Sequence, residues 1–130
     1  MSGLSLKIVR VFIESPGYTV IDLTESVRGV VVELKMDRGI VVVYTNERGC
    51  SVTEIEYEPN LLADLEDLLK KLGCIETALC DVVLSRSIVI PVINGNLFLG
   101  QFKKVVLVDT SKKSGEKSLV MVLEGVFKGN

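Results

Sequence analysis

Alternating and clustered apolar positions cut the chain into short strands, and two segments switch to helical spacing. Leu4 to Glu14 is rich in Ile and Val and predicts a strand. Ser15-Pro16-Gly17 supplies a turn, with Pro presetting φ and Gly tolerating φ > 0. Tyr18 to Asp22 is therefore expected to return as the second strand of a hairpin. Val27, Val30, Val31 and Leu34 then stand at i, i+3, i+4 and i+7, the apolar stripe of a helix. With Thr24 as cap and Glu25 at the positive end of the dipole, the spacing predicts a helix over 24–36, against the strand preference of its valines. Gly39 to Thr45 is a strand, and the run Ile40-Val41-Val42-Val43 predicts burial on both faces. Asn46 to Gly49 is a loop.

Cys50 to Tyr57 reads as another strand, with Glu54, Glu56 and Glu58 alternating onto one face. Pro59 suits the first position of a helix. Leu61, Leu62, Leu65, Leu68, Leu69 and Leu72 form its apolar side, Lys70 and Lys71 lie late in it, and Gly73 closes it. Strands follow over 86–93 and 96–99, joined by Asn94-Gly95, whose residues suit a turn with φ > 0 at both positions. Gly100 suggests a bulge. Two further strands, 102–109 and 118–127, flank the polar loop Thr110 to Gly115. The pattern predicts one α+β domain over 1–130, a mainly antiparallel β-sheet with two principal helices.

Composition narrows the chemistry. The 130 residues are 48% hydrophobic with mean hydropathy +0.42, too apolar for a disordered segment. No apolar run nears the roughly 18 residues of a membrane span. No basic region precedes an apolar block, so no signal peptide is expected and the cytoplasm is the expected location. Fifteen basic against seventeen acidic residues give a net charge of −2, which argues against nucleic acid and membrane surfaces as partners. The chain has no histidine, which excludes Ser-His-Asp and Cys-His arrangements and His-ligated zinc. Cys50, Cys74 and Cys80, odd in number and not spaced as C-x-x-C, read as buried, reduced small hydrophobes. The many Val, Ile and Glu with a single Gln lean towards thermophile usage.

Three segments together resemble the YjbQ-like family, described as secondary thiamine-phosphate synthases. Glu58-Pro59-Asn60-Leu61-Leu62-Ala63-Asp64-Leu65-Glu66 resembles its Asp-Pro-x-Val-x-x-Asp-Leu-Glu. Ser87 to Val92 followed by Gly95 to Gly100 resembles its SLTLPV…GRLxLGTWQ. Val105 to Asp109 resembles the strand that ends in its acidic residue, and Thr45 to Val52 sits where it carries HTTASL. The resemblance implies a homotrimer with a site near subunit contacts. By family position the candidate site residues are Asn46, Glu47, Glu58, Glu76, Gln101 and Asp109. Departures fall on the chemistry: Asn46 replaces a histidine, a His pair maps onto Glu76 and Ala78, and a lysine onto Cys80.

Other candidates come from residue type. Glu54, Glu56 and Glu58 offer hard oxygens for a weakly held divalent cation, or are a solvated strand face. Lys103, Lys113 and Lys117 are anion-binding candidates, the last two in a Gly-containing loop that is otherwise a polar hairpin connection. Cys50 lacks a histidine to activate it. The reading that leads is a degenerate small-ligand-binding trimer without the family's catalysis. It needs no tightly bound metal or other cofactor. One alternative is an active thiamine-phosphate synthase-like enzyme on phosphorylated small molecules, with Mg²⁺ bridging carboxylates to phosphate. The other is a purely structural or interaction trimer.

Overall fold

The computed structural model describes residues 3–74 and 78–129. Its elements are β1 (Ser5–Ser15), β2 (Thr19–Asp22), α1 (Thr24–Glu33), β3 (Met36–Tyr44), β4 (Cys50–Glu56), α2 (Pro59–Lys71), α3 (Ala78–Val83), β5 (Ser87–Ile93), β6 (Asn96–Leu97), β7 (Lys103–Asp109) and β8 (Gly115–Phe127). They form a five-stranded sheet, β1-β8-β3-β5-β6, and a three-stranded sheet, β2-β7-β4. Every strand pairing is antiparallel. The fold is α+β with two principal helices and a third, six-residue one.

Alternation along the strands builds two cores. Val41, Val43, Ile90, Leu119, Met121 and Leu123 of the large sheet meet Val52, Val105 and Leu107 of the small one, and Leu23, Val27 and Val31 on and just before α1 plug the gap. The opposite face of the small sheet carries Val106 and Val108, which pack with Leu69 of α2 and with Cys74 and Cys80. The order is thus large sheet, small sheet, then α2 and α3. Among the described residues, nothing covers the outer face of the large sheet.

Local signals were the most faithful. Glu58 stands at the N-cap of α2, its carboxylate accepting from the N–H groups of Asn60 and Leu61. Pro59 follows at the first helical position, and Gly73 ends the helix at φ +72°. Asn94 and Gly95 have φ of +51° and +78°, as the two-residue hairpin demands.

Pairing departed from expectation. β1 and β2 do not form a hairpin: β1 pairs with β8 along its whole length, and β2 joins the other sheet beside β7. The corner at Gly17 and Tyr18, with φ of +89° and +45°, carries the chain between sheets, and the Tyr18 N–H donates to Ser111 O. The 110–114 segment likewise crosses between sheets rather than closing a hairpin, since β7 and β8 lie in different sheets. α1 stops at Glu33, because Lys35 turns left-handed at φ +58° and Met36 already belongs to β3. Thr24 does not cap it: the Asp22 carboxylate accepts from Thr24 N–H, and Thr24 Oγ1 accepts from Val105 N–H. β3 is buried on one face only, with Val41 and Val43 inside and Ile40 and Tyr44 exposed, because its other side lies on the uncovered face. Gly100 marks a turn before β7, not a bulge, with the Lys103 N–H donating back to its carbonyl.

Candidate functional site

The small sheet sorts the candidates into two groups at its opposite ends. β4 and β7 run antiparallel from the pair Cys50↔Asp109 to the pair Glu56↔Lys103. Six residues of strand separate the ends, about 20 Å.

At the first end Asp109 is buried, 2% exposed. Its Oδ2 accepts from Ser15 Oγ at 2.6 Å and its Oδ1 from Ser111 N–H at 2.8 Å. The Lys117 ammonium lies 3.9 Å from Oδ2 and donates to Ser111 Oγ at 3.1 Å. Burial of a carboxylate is tolerated here because a cation and two donors surround it. Cys50 sits beside it: desolvation first, and the Asp109 charge second, push its thiol up to about 12. A thiol held protonated at neutral pH is no nucleophile.

The adjoining loop is equally committed. The Glu47 carboxylate accepts from Ser118 N–H at 2.7 Å, and the Glu47 carbonyl accepts from Arg86 Nη1 at 2.6 Å. Gly49 donates its N–H to Asp81 Oδ1, and its carbonyl accepts from both Thr110 N–H and Thr110 Oγ1. Asn46 beside them is exposed, as is Lys113.

At the far end the groups are open. Glu56, Gln101 and Lys103 are exposed. Glu54 Oε2 accepts from Gly100 N–H at 2.7 Å, and Glu58 is turned onto the helix N-terminus. Glu54, Glu56 and Glu58 therefore do not converge, and among the described residues no three Asp, Glu or Cys groups are placed to hold a metal ion. Glu76 lies outside the described residues.

A cavity of about 330 Å³ opens between α2 and the β2–β7 edge. Val20, Leu62, Leu69 and Val108 wall it, with Tyr18 at one side, and its only charged lining residues are the acids Glu66 and Asp109. The sequence reading missed this cavity, and it missed Ser15, Ser111, Asp81 and Arg86. No local motif marks them, since the Ser15–Asp109, Gly49–Asp81 and Glu47–Arg86 contacts join residues distant in sequence.

Cys74 and Cys80 are joined by a disulfide, Cα to Cα 5.6 Å, which overturns the expectation of reduced thiols. The helix end at Gly73 and the start of α3 bring the pair within bonding reach, a juxtaposition that counting cysteines does not reveal. Cys50 is the free, buried thiol.

A two-sheet, antiparallel α+β fold with its helices against the small sheet is represented among solved proteins. A YbjQ-like protein of unknown function from Sulfolobus solfataricus superposes with TM-score 0.83 at 17% identity, covering 95% of this chain and 99% of that one. A hypothetical protein from Aeropyrum pernix gives 0.80 at 21% identity, over 92% and 98%. A conserved YjbQ/UPF0047-family protein from Clostridium acetobutylicum gives 0.80 at 18%, over 88% and 98%. No curated protein matches the sequence. The family model described as UPF0047 protein YjbQ-like matches residues 10–125. The chain belongs to the YjbQ family.

Proposed function

We propose that this chain is a small-ligand-binding YjbQ protein without the thiamine-phosphate synthase activity ascribed to the family, and that it works as a cytoplasmic homotrimer. One observation carries the ligand reading: the cavity beside α2 has apolar walls, and its two acids, Glu66 and Asp109, are each paired with a lysine, Lys70 and Lys117. Phosphate recognition wants several cationic or N–H donors. A pocket of this size with apolar walls and internally paired charges suits a neutral small organic molecule instead. The polar groups at the family's site positions point the same way. Asp109, Glu47 and Glu58 are all engaged by this chain's own donors, which leaves them little capacity to hold or move a proton for a substrate.

The trimer reading rests on the large sheet's outer face. Ile8, Val122, Val42 and Val89 stand in one row across four strands, flanked by exposed Leu6, Phe12 and Tyr44. A contiguous apolar face of this kind marks an association surface.

Two measurements test this. Incubation with the aminopyrimidine diphosphate and the thiazole phosphate, with and without Mg²⁺, should give no product above background. The unphosphorylated aminopyrimidine should raise Tm more than its diphosphate does, and Ala63→Trp, which fills the cavity, should abolish the rise. Robust turnover, or a preference for the diphosphate, overturns the ligand reading. Light scattering should return three times 14.2 kDa, and Ile8→Lys with Val89→Lys should return one chain. A monomer for the unaltered protein sinks the trimer.

A further inference from the structure

α3 is six residues long, too short to hold itself as a helix in water. Its attachment is thin. Cys80 is its one buried residue, while Leu79, Val82 and Val83 are all at least 70% exposed. What ties it down is the bond from Cys80 to Cys74, both buried against Leu69, Val106 and Val108 in the second core.

The residue after Cys80 turns this attachment into a clamp. Asp81 Oδ1 accepts from Gly49 N–H at 3.0 Å, and Oδ2 pairs with Arg86 Nη2 at 3.0 Å. The other arm of Arg86, Nη1, holds the Glu47 carbonyl. The segment 46–49 is thus gripped from α3 on one side, while Thr110 and Ser118 grip it from the sandwich on the other. A chain of short polar contacts runs from the disulfide to the loop carrying Asn46 and Glu47, with Asp81 adjacent to the crosslinked cysteine.

We propose that the Cys74–Cys80 disulfide is a redox latch on the 46–49 loop. Oxidised, it seats α3 so that Asp81 and Arg86 clamp the loop. A dithiol reductant opens it by exchange: one thiolate attacks a protein sulfur, and the second thiol displaces the mixed disulfide. Two electrons and two protons end on Cys74 and Cys80, and the dithiol leaves as its own disulfide. α3 then loses its anchor and the loop loses one of its two grips. This device is independent of which ligand the cavity takes.

Hydrogen exchange in the full chain, before and after treatment with dithiothreitol, tests the latch. Reduction should speed exchange of the Gly49 amide, which the Asp81 carboxylate holds, at least tenfold and leave the β1–β8 amides unchanged. Cys74→Ala with Cys80→Ala, which spares the first core, should exchange like the reduced protein without any reductant. Asp81→Ala should show the fast loop while still oxidised, and reduction should then add nothing there. Loop exchange that ignores reduction in the unaltered protein overturns the proposal. So does a purified, air-exposed chain that yields three free thiols when denatured.

Discussion

At the Cys50↔Asp109 end of the small sheet, Asp109 and Lys117 are buried and paired with one another. About 20 Å along the same two strands, the Glu56↔Lys103 end faces solvent with its charges free. The same pair of strands thus makes a sealed polar knot at one end and an open surface at the other. Depth decides the difference. Ser15 arrives from β1 and Lys117 from β8, so the knot ties the two sheets together, whereas Lys103 at the far end is exposed. A residue can keep the family's position while its role changes from chemistry to joinery.

At neutral pH, breaking the knot should have the largest effect. Lys117→Met leaves the Asp109 charge buried with neutral donors alone, and should cost about 3 kcal/mol in denaturant unfolding. Lys103→Met at the open end should cost no more than about 0.5 kcal/mol. Equal effects would erase the contrast.

Alkaline unfolding sharpens it further. The Cys50 thiol stays protonated to about 12 in the folded chain but ionises near its ordinary 9.0 once unfolded. Its contribution is therefore complete below pH 9 and is lost as pH rises towards 12. Cys50→Ala should remove a loss on the order of 4 kcal/mol across that window, read from unfolding curves at successive pH values.

A smaller effect than at Lys117 or Cys50 concerns Glu58, which belongs to the open end yet, unlike Lys103, has a fixed task. Glu58→Ala should cost about 1 kcal/mol, and Glu58→Asp should restore most of it, since either acid can accept from the first-turn N–H groups. A neutral Glu58→Ala would move this side chain from helix cap to candidate ligand.

What could be read from the sequence was local. The Leu-rich α2, its Pro59 start and the Asn94-Gly95 turn carry their instructions within a few residues. Partner choice does not: Ser15-Pro16-Gly17 signals a turn equally well whether the next strand returns to its neighbour or crosses to another sheet. The run Ile40 to Val43 announced two apolar faces correctly in composition, but only one of them is buried within this chain. The division of the candidate residues between two distant ends depended on the β4–β7 register, which no local pattern encodes. The disulfide was hidden by parity, since three cysteines argue against a framework without excluding one bridge. α3 escaped because six residues are too few to show a full apolar stripe.

The pairing of β1 with β8 has a kinetic meaning. Ser5 lies opposite Gly125, so the first strand must wait for nearly the entire polypeptide before it can be zipped in. During synthesis Leu6, Ile8 and Phe12 remain without their neighbours until the last strand emerges. Such distant closure places the protein among slow folders, on the order of milliseconds to seconds. It also makes the ribosome-bound intermediate, rather than the finished molecule, the species most exposed to aggregation.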